Sequence, residues 1–199
     1  MIVCGAWPIA AGLELFDDLY RRGQELNGEL RTFTARFTES TTSPLLARPL
    51  VASGTVAVER PFRLALRYME PEERLVLIND DTMTITWPSR DIRQVKDIGP
   101  SRRRIQKYFV EGSPDDLRSH FTISAKEVDD GAGGYLVTMA PKRRQIKEGL
   151  ARLDLWVDRE TLLLSSMRMT FPNGQEKLMT FSDVRPNTPI DPAAFRDWR

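Results

Sequence analysis

His120 is the single histidine of this 199-residue sequence and the one side chain that titrates near neutrality without a large shift. A general base is the chemistry it could offer. It stands between Ser119 and Phe121 in a predicted short helix, with no serine elbow and no glycine-rich loop beside it. The surroundings fit a surface or satisfied core histidine better than a catalytic one. Cys4 is the only cysteine, so no internal disulfide can form, and the usual cysteine and histidine zinc sets are ruled out by the same count. Aspartates and glutamates are plentiful, but they are expected at turns and on outward strand positions. Gly54-Thr55-Val56 and Asn173-Gly174-Gln175 read as a strand entry and a turn, not as phosphate cradles. No catalytic, cofactor or metal residue is therefore assigned, and the sequence reads as that of a non-enzyme.

The apolar residues are more informative. One parity of the predicted strands is rich in large flexible side chains: Leu64, Leu66, Met83, Ile85, Trp87, Met139, Met167, Met169 and Phe171. Methionine adapts its shape and is over-used where varied apolar ligands must be fitted. Periodicity alone favours an ordinary core. Arg60 shares the parity of Val56, Val58, Leu64 and Leu66, so alternation aims it at the apolar side, although Pro61 disturbs the count. A cation there needs a carboxylate or several carbonyls. It would either meet a polar headgroup, bond to a lid backbone, or turn out to solvent at the strand end. Two basic clusters, Arg102-Arg103-Arg104 with Lys107 and Lys142-Arg143-Arg144 with Lys147, read as solvated loops; side by side they would suit anionic lipid or an acidic partner.

The elements that must position these residues follow from period and turn chemistry. Hydrophobic residues make up 41% and charged residues 29%, the balance of a soluble globular domain, and a formal net charge of +1 gives no case for nucleic acid. Residues 1–12 are apolar and too short to span a bilayer; they resemble the back half of a signal peptide, with Ala10-Ala11-Gly12 as the cleavage zone. Val3 is too large for a lipobox before Cys4. Residues 13–199 then form one domain. Leu13 to Leu26 is an amphipathic helix with Leu15, Phe16 and Leu19 on one face, ended near Gly28. Alternating strands are expected from Arg31 to Thr38 and from Gly54 to Tyr68 as a pair, and further strands at Arg74–Asn79, at Thr82–Trp87 and at 92–98. A polar loop is expected at Ser40–Pro44 and a tight hairpin at Asp80-Asp81.

A short helix over 101–110 places Ile105 and Phe109 together. A second is opened by Ser113 as N-cap, Pro114 and Asp116, and carries Leu117 and Phe121 on one face. Strands resume at Tyr135–Ala140, 150–158 (Leu153, Leu155, Val157 inward), 162–171 and 176–184. About ten strands in an antiparallel meander curl around something. The expected class is α+β: a strongly curved antiparallel sheet, an incomplete β-barrel or half-barrel, wrapped around the N-terminal helix and short lid helices.

Gly54-Thr-Val-Ala-Val-Glu-Arg60-Pro61, followed by Leu64, Leu66 and Tyr68, resembles the Gly-x-hydrophobic-x-hydrophobic-x-Arg-Pro signature of the LolA-like periplasmic lipoprotein carriers. The likeness continues through Leu75 to Trp87-Pro88 and closes with Phe181-Ser-Asp-Val184, Asn187, Ile190 and Phe195. The resemblance implies an incomplete barrel with a helical lid over an acyl-chain groove. Such a groove would be lined by Leu64, Leu66, Tyr68, Met83, Ile85, Trp87, Phe109, Leu117, Phe121, Met139, Leu155, Met167, Met169 and Phe171. It also implies that Arg60 latches the lid and serves cargo release. The implied protein is a monomer of the periplasm that takes an acylated lipoprotein or lipid from an inner-membrane donor complex and passes it to an outer-membrane acceptor. Asp80-Asp81 stands where the family commonly has Asp-Gly, and the 101–121 segment is similar to divergent paralogues. A lipid- or lipoprotein-sensing regulatory module of the same fold is the alternative.

Overall fold

A computed structural model of the chain describes residues 9–105, 113–129 and 134–197. Residues 1–8 of the apolar start, together with Lys107 and Phe109, lie outside the described residues; Ile9 to Gly12 open the first helix.

The chain divides into two compact units, one of residues up to Gly28 and Ser113–Glu176, the other of Glu29–Gly112 and Lys177–Arg199. In the first, α1 (Ile9–Asn27) lies on β7 (Phe121–Val128), burying Phe16 and Leu19. Gly12 permits this approach, since a Cβ there would stand 3.1 Å from the Ala125 carbonyl oxygen. The strands β8 (Gly134–Pro141), β9 (Arg152–Asp158) and β10 (Leu164–Thr170) follow, with a short α4 (Arg144–Lys147) between β8 and β9. Helix α3 (Pro114–His120) starts on the expected capping box: Ser113 Oγ accepts from the Asp116 amide, and the Asp116 carboxylate accepts from the Ser113 amide.

The second unit holds β1 (Thr32–Thr42), β2 (Leu50–Glu59), β3 (Arg63–Glu70), β4 (Arg74–Asn79), β5 (Thr82–Trp87), β6 (Ile92–Asp97), α2 (Gly99–Ile105) and β11 (Glu176–Pro186). Asp80 turns the β4–β5 hairpin at φ 50°, a left-handed value that aspartate tolerates. The tail ends in a 3-10 turn, Pro192–Phe195, whose N-cap is Asp191.

Within the second unit the antiparallel strands run in the order β6-β5-β4-β3-β2-β1-β11, and within the first β10-β9-β8-β7; neither run closes on itself. The class is α+β, as the sequence leads one to expect. Two expectations need correction. Phe121 is not on a helix face: α3 ends at His120 and Phe121 opens β7 as its C-cap. Ser40 to Thr42 extend β1 instead of starting a loop, because Ser40 and Thr41 pair with Val51 and Leu50 across the hairpin.

Candidate functional site

Register decides which side chains share a face. In the second unit Phe37 pairs with Gly54, Gly54 with Tyr68 and Tyr68 with Arg74; Val56 pairs with Leu66, Leu66 with Val76 and Val76 with Ile85; Val58 pairs with Leu64, Leu64 with Ile78 and Ile78 with Met83. The six predicted groove residues Leu64, Leu66, Tyr68, Met83, Ile85 and Trp87 thus lie on one face of five neighbouring strands. Tyr68 is buried, and the other five are only half-buried.

The opposite face is finished differently. Ala65, Leu75 and Leu77 pack with Phe195, and Ala57, Ile190 and Ala194 join them, so the C-terminal tail lies on that side. Arg67 fixes the tail through Nη2, which donates to the carbonyls of Ala193, Ala194 and Arg196 at 3.3, 3.1 and 2.9 Å. Arg63 stacks on the Phe195 ring at 4.3 Å. Sequence reasoning missed this second face, because Leu75 and Leu77 share a strand with Val76 and Ile78 and both parities are apolar. A depression of about 360 Å³ on the tail-covered side is lined both by polar residues (Arg36, Thr55, Asp183, Arg185, Asp191) and by apolar ones (Val56, Ala57, Pro189, Ile190, Ala194).

In the first unit the register again unites one parity: Ile123 with Met139, Met139 with Leu153 and Leu153 with Met169; Ala125 with Val137, Val137 with Leu155 and Leu155 with Met167. Leu117, Phe121 and Met139 are fully buried, whereas Leu155, Met167, Met169 and Phe171 are half-buried. Exposure therefore rises from β7 and β8, beside α1, toward β9 and β10.

Arg60 is exposed. β2 ends at Glu59, one residue before the alternation would turn Arg60 inward, and the Arg60 amide donates to the Arg31 carbonyl at 2.8 Å. Arg102 pairs with Asp81 and stacks on Phe62 at 4.4 Å, whereas Lys142 Nζ donates to the Arg118 carbonyl at 2.6 Å. His120 is the last residue of α3, with Nδ1 2.9 Å from the Asp116 carbonyl oxygen.

Two carboxylates depart from the expected outward placement. Asp154 is 2% exposed, accepting from Thr138 Oγ1 at 2.7 Å and Arg152 Nε at 2.9 Å. Glu39 is buried on the apolar face of the second unit. It accepts from Tyr68 OH at 2.8 Å on one oxygen and from Lys177 Nζ at 3.1 Å on the other. Burial first, and then the hydrogen bond to Glu39, push the Tyr68 phenol up to about 12. A raised folded-state value means this stabilisation is complete below the ordinary tyrosine range and fades as pH climbs from about 10 toward 12. Ultraviolet titration should show one of the four tyrosines ionising last, near the unfolding edge, and Tyr68→Phe should remove that step. Four phenols titrating together near 10 would contradict it.

Among the described residues no group of three His, Cys, Asp or Glu side chains converges to hold a metal, and no helix is long and apolar enough to cross a membrane.

Comparison with known proteins bears on these faces. The family profile of outer membrane lipoprotein carrier protein LolA matches residues 28–197. An outer-membrane lipoprotein carrier protein of Dechloromonas aromatica (strain RCB) is 25% identical over 166 residues, 83% of this chain and 76% of that protein. Among solved structures, an uncharacterized conserved protein from Thermus thermophilus superposes with a TM-score of 0.58 at 8% identity, covering 93% of this chain and 94% of that one. The Pseudomonas aeruginosa MucA/MucB complex gives 0.55 at 15% identity, covering 92% of this chain but 60% of that one. Mycobacterium tuberculosis lipoprotein LppX gives 0.51 at 12% identity, with 92% and 99% covered. The structural likenesses speak for the fold; the profile, which spans both units and takes in the Gly54–Pro61 signature, places the chain in the LolA family of outer membrane lipoprotein carriers.

Proposed function

We propose that this protein is a non-enzymatic periplasmic carrier that binds the acyl chains of a lipoprotein or lipid and hands them to an outer-membrane acceptor. The observation that carries this reading is an asymmetry of β3–β5. The tail packs on Ala65, Leu75 and Leu77 of one face, while on the other Phe37, Val56 and Tyr68 are buried at one end and Leu64, Leu66, Met83, Ile85 and Trp87 stay half-buried. Large apolar side chains held side by side and left incompletely covered suit an alkyl chain as the missing partner.

The energetics define what such a carrier does. Moving a sixteen-carbon chain out of water onto an apolar face gains on the order of 10 kcal/mol, at about 0.8 kcal/mol per methylene. Drawn from a bilayer, the same chain gains almost nothing, since it leaves hydrocarbon for hydrocarbon. The protein therefore shields cargo in transit, and direction comes from an energised donor or a better-binding acceptor. In this proposal Arg60 couples lid closure to the empty state.

Native mass spectrometry of protein purified from a bacterial periplasm tests the reading. Acylated species should co-purify, and Arg60→Leu should retain more of them because release is impaired. Protein that carries no lipid adduct would sink the carrier, and unchanged retention in Arg60→Leu would sink the latch. The likeness to MucB in the MucA/MucB complex favours one second reading, a lipid-sensing module that acts on a protein partner. A pull-down that captures a regulatory protein rather than an acceptor would favour it.

A further inference from the structure

We infer that the apolar face of the second unit ends in a built site for the negatively charged head of its ligand, with Arg74 as the reading residue. The inference rests on the acyl-chain reading above and specifies the ligand as an anionic amphiphile.

Tyr68 and Arg74 are direct cross-strand partners, so both side chains stand on the face that carries Leu66, Val76 and Ile85, at the end of that stripe. The Arg74 guanidinium lies 3.7 Å over the Tyr68 ring. On its edge the same ring meets Phe37, with centroids 4.9 Å apart. Tyr68 OH and Lys177 Nζ are both engaged by the two oxygens of buried Glu39. One carboxylate thus answers one ammonium, and Arg74 contributes the remaining positive charge. Its Nε is buried and has no hydrogen-bond partner among the described residues.

That orphan donor is the telling feature. A buried N–H of a charged group costs stability when its bond is left unmade; Tyr68 engages the Arg74 guanidinium, but no described residue accepts from Nε. Glu72, on the preceding turn, is already held by Arg90 Nε and Nη2 at 2.7 and 2.6 Å and by Ser89 Oγ at 2.7 Å. A guanidinium pre-oriented by stacking, with a free desolvated donor beside a half-covered apolar stripe, suits a carboxylate or phosphate oxygen attached to an alkyl chain. The chain would lie along Leu66, Val76 and Ile85 and the oxyanion would meet Arg74.

Fluorescence titration of the intact protein with cis-parinaric acid and with its methyl ester tests this, because the two share one acyl chain and only the acid carries a charged head. The acid is expected to bind about tenfold more tightly than the ester, the value of one charge-assisted hydrogen bond. Arg74→Gln should abolish that preference, while Arg74→Lys should restore part of it. Equal binding of acid and ester by the native protein would overturn the head site and leave the carrier reading standing. Binding of neither would overturn both. A preference that survives Arg74→Gln would remove Arg74 from the role.

Discussion

Gly54→Ala is expected to cost about 3 kcal/mol or more and to remove most soluble protein on expression. A Cβ at this position would stand 2.0 Å from the Arg67 carbonyl oxygen, 2.8 Å from its carbon and 2.9 Å from the Tyr68 Cα. All three are backbone atoms of β3, so no rotamer change relieves the overlap and the β2–β3 ladder must part. The site is already irregular, since the register shifts between Ser53 and Gly54. The bare position has a further use. Gly54 pairs with both Phe37 and Tyr68, and those rings close edge-to-face on either side of it. Because Tyr68 in turn carries Glu39 and Arg74, the first glycine of the Arg-Pro signature supports the polar end of the apolar face. Urea melts monitored by tryptophan fluorescence would measure the effect, and a midpoint close to that of the native protein would show that β3 can yield.

Leu75→Ala should destabilise the second unit by about 2–5 kcal/mol, the range for truncating a fully enclosed leucine. Leu75 is 0% exposed and sits in the cluster with Ala65, Leu77 and Phe195. Its neighbours Ala57, Ala65 and Ala194 are too small to collapse into the space. Arg67 also ties the tail to its carbonyls and hinders that tail from settling inward. Leu66→Ala, on the half-exposed side of the neighbouring strand, should cost clearly less because less of its surface is removed from water. Equal losses for the two variants would show that both faces are equally packed and would weaken the case for an uncovered one.

Much of this organisation was written locally. A short apolar run marked β4 and alternation of period two marked β5 to the residue, Asp80-Asp81 marked their hairpin, and Ser113-Pro114-Asp115-Asp116 marked the start of α3. These depend on neighbours within a few positions, which a sequence displays. The parity that unites Leu64, Leu66, Met83, Ile85 and Trp87 was legible for the same reason. β7 was not, because Phe121, Ile123 and Ala125 follow α3 without an intervening turn and end in the polar pair Lys126-Glu127. Arg60 illustrates the limit of counting: a strand that stops one residue earlier leaves the side chain in solvent.

Which of two apolar parities would be sealed was decided only in three dimensions. Leu75 and Leu77 on one side, Val76 and Ile78 on the other, are indistinguishable by hydropathy. The distinction comes from the Ile190–Phe195 tail, more than a hundred residues away, folding back onto one of them. Burial of Glu39 and Asp154 is likewise a tertiary outcome, since each is tolerated only because Lys177, Tyr68, Thr138 or Arg152 arrives from another strand or from two residues along its own. Chain-local periodicity made the faces; long-range packing of the tail determined which one became the more deeply buried.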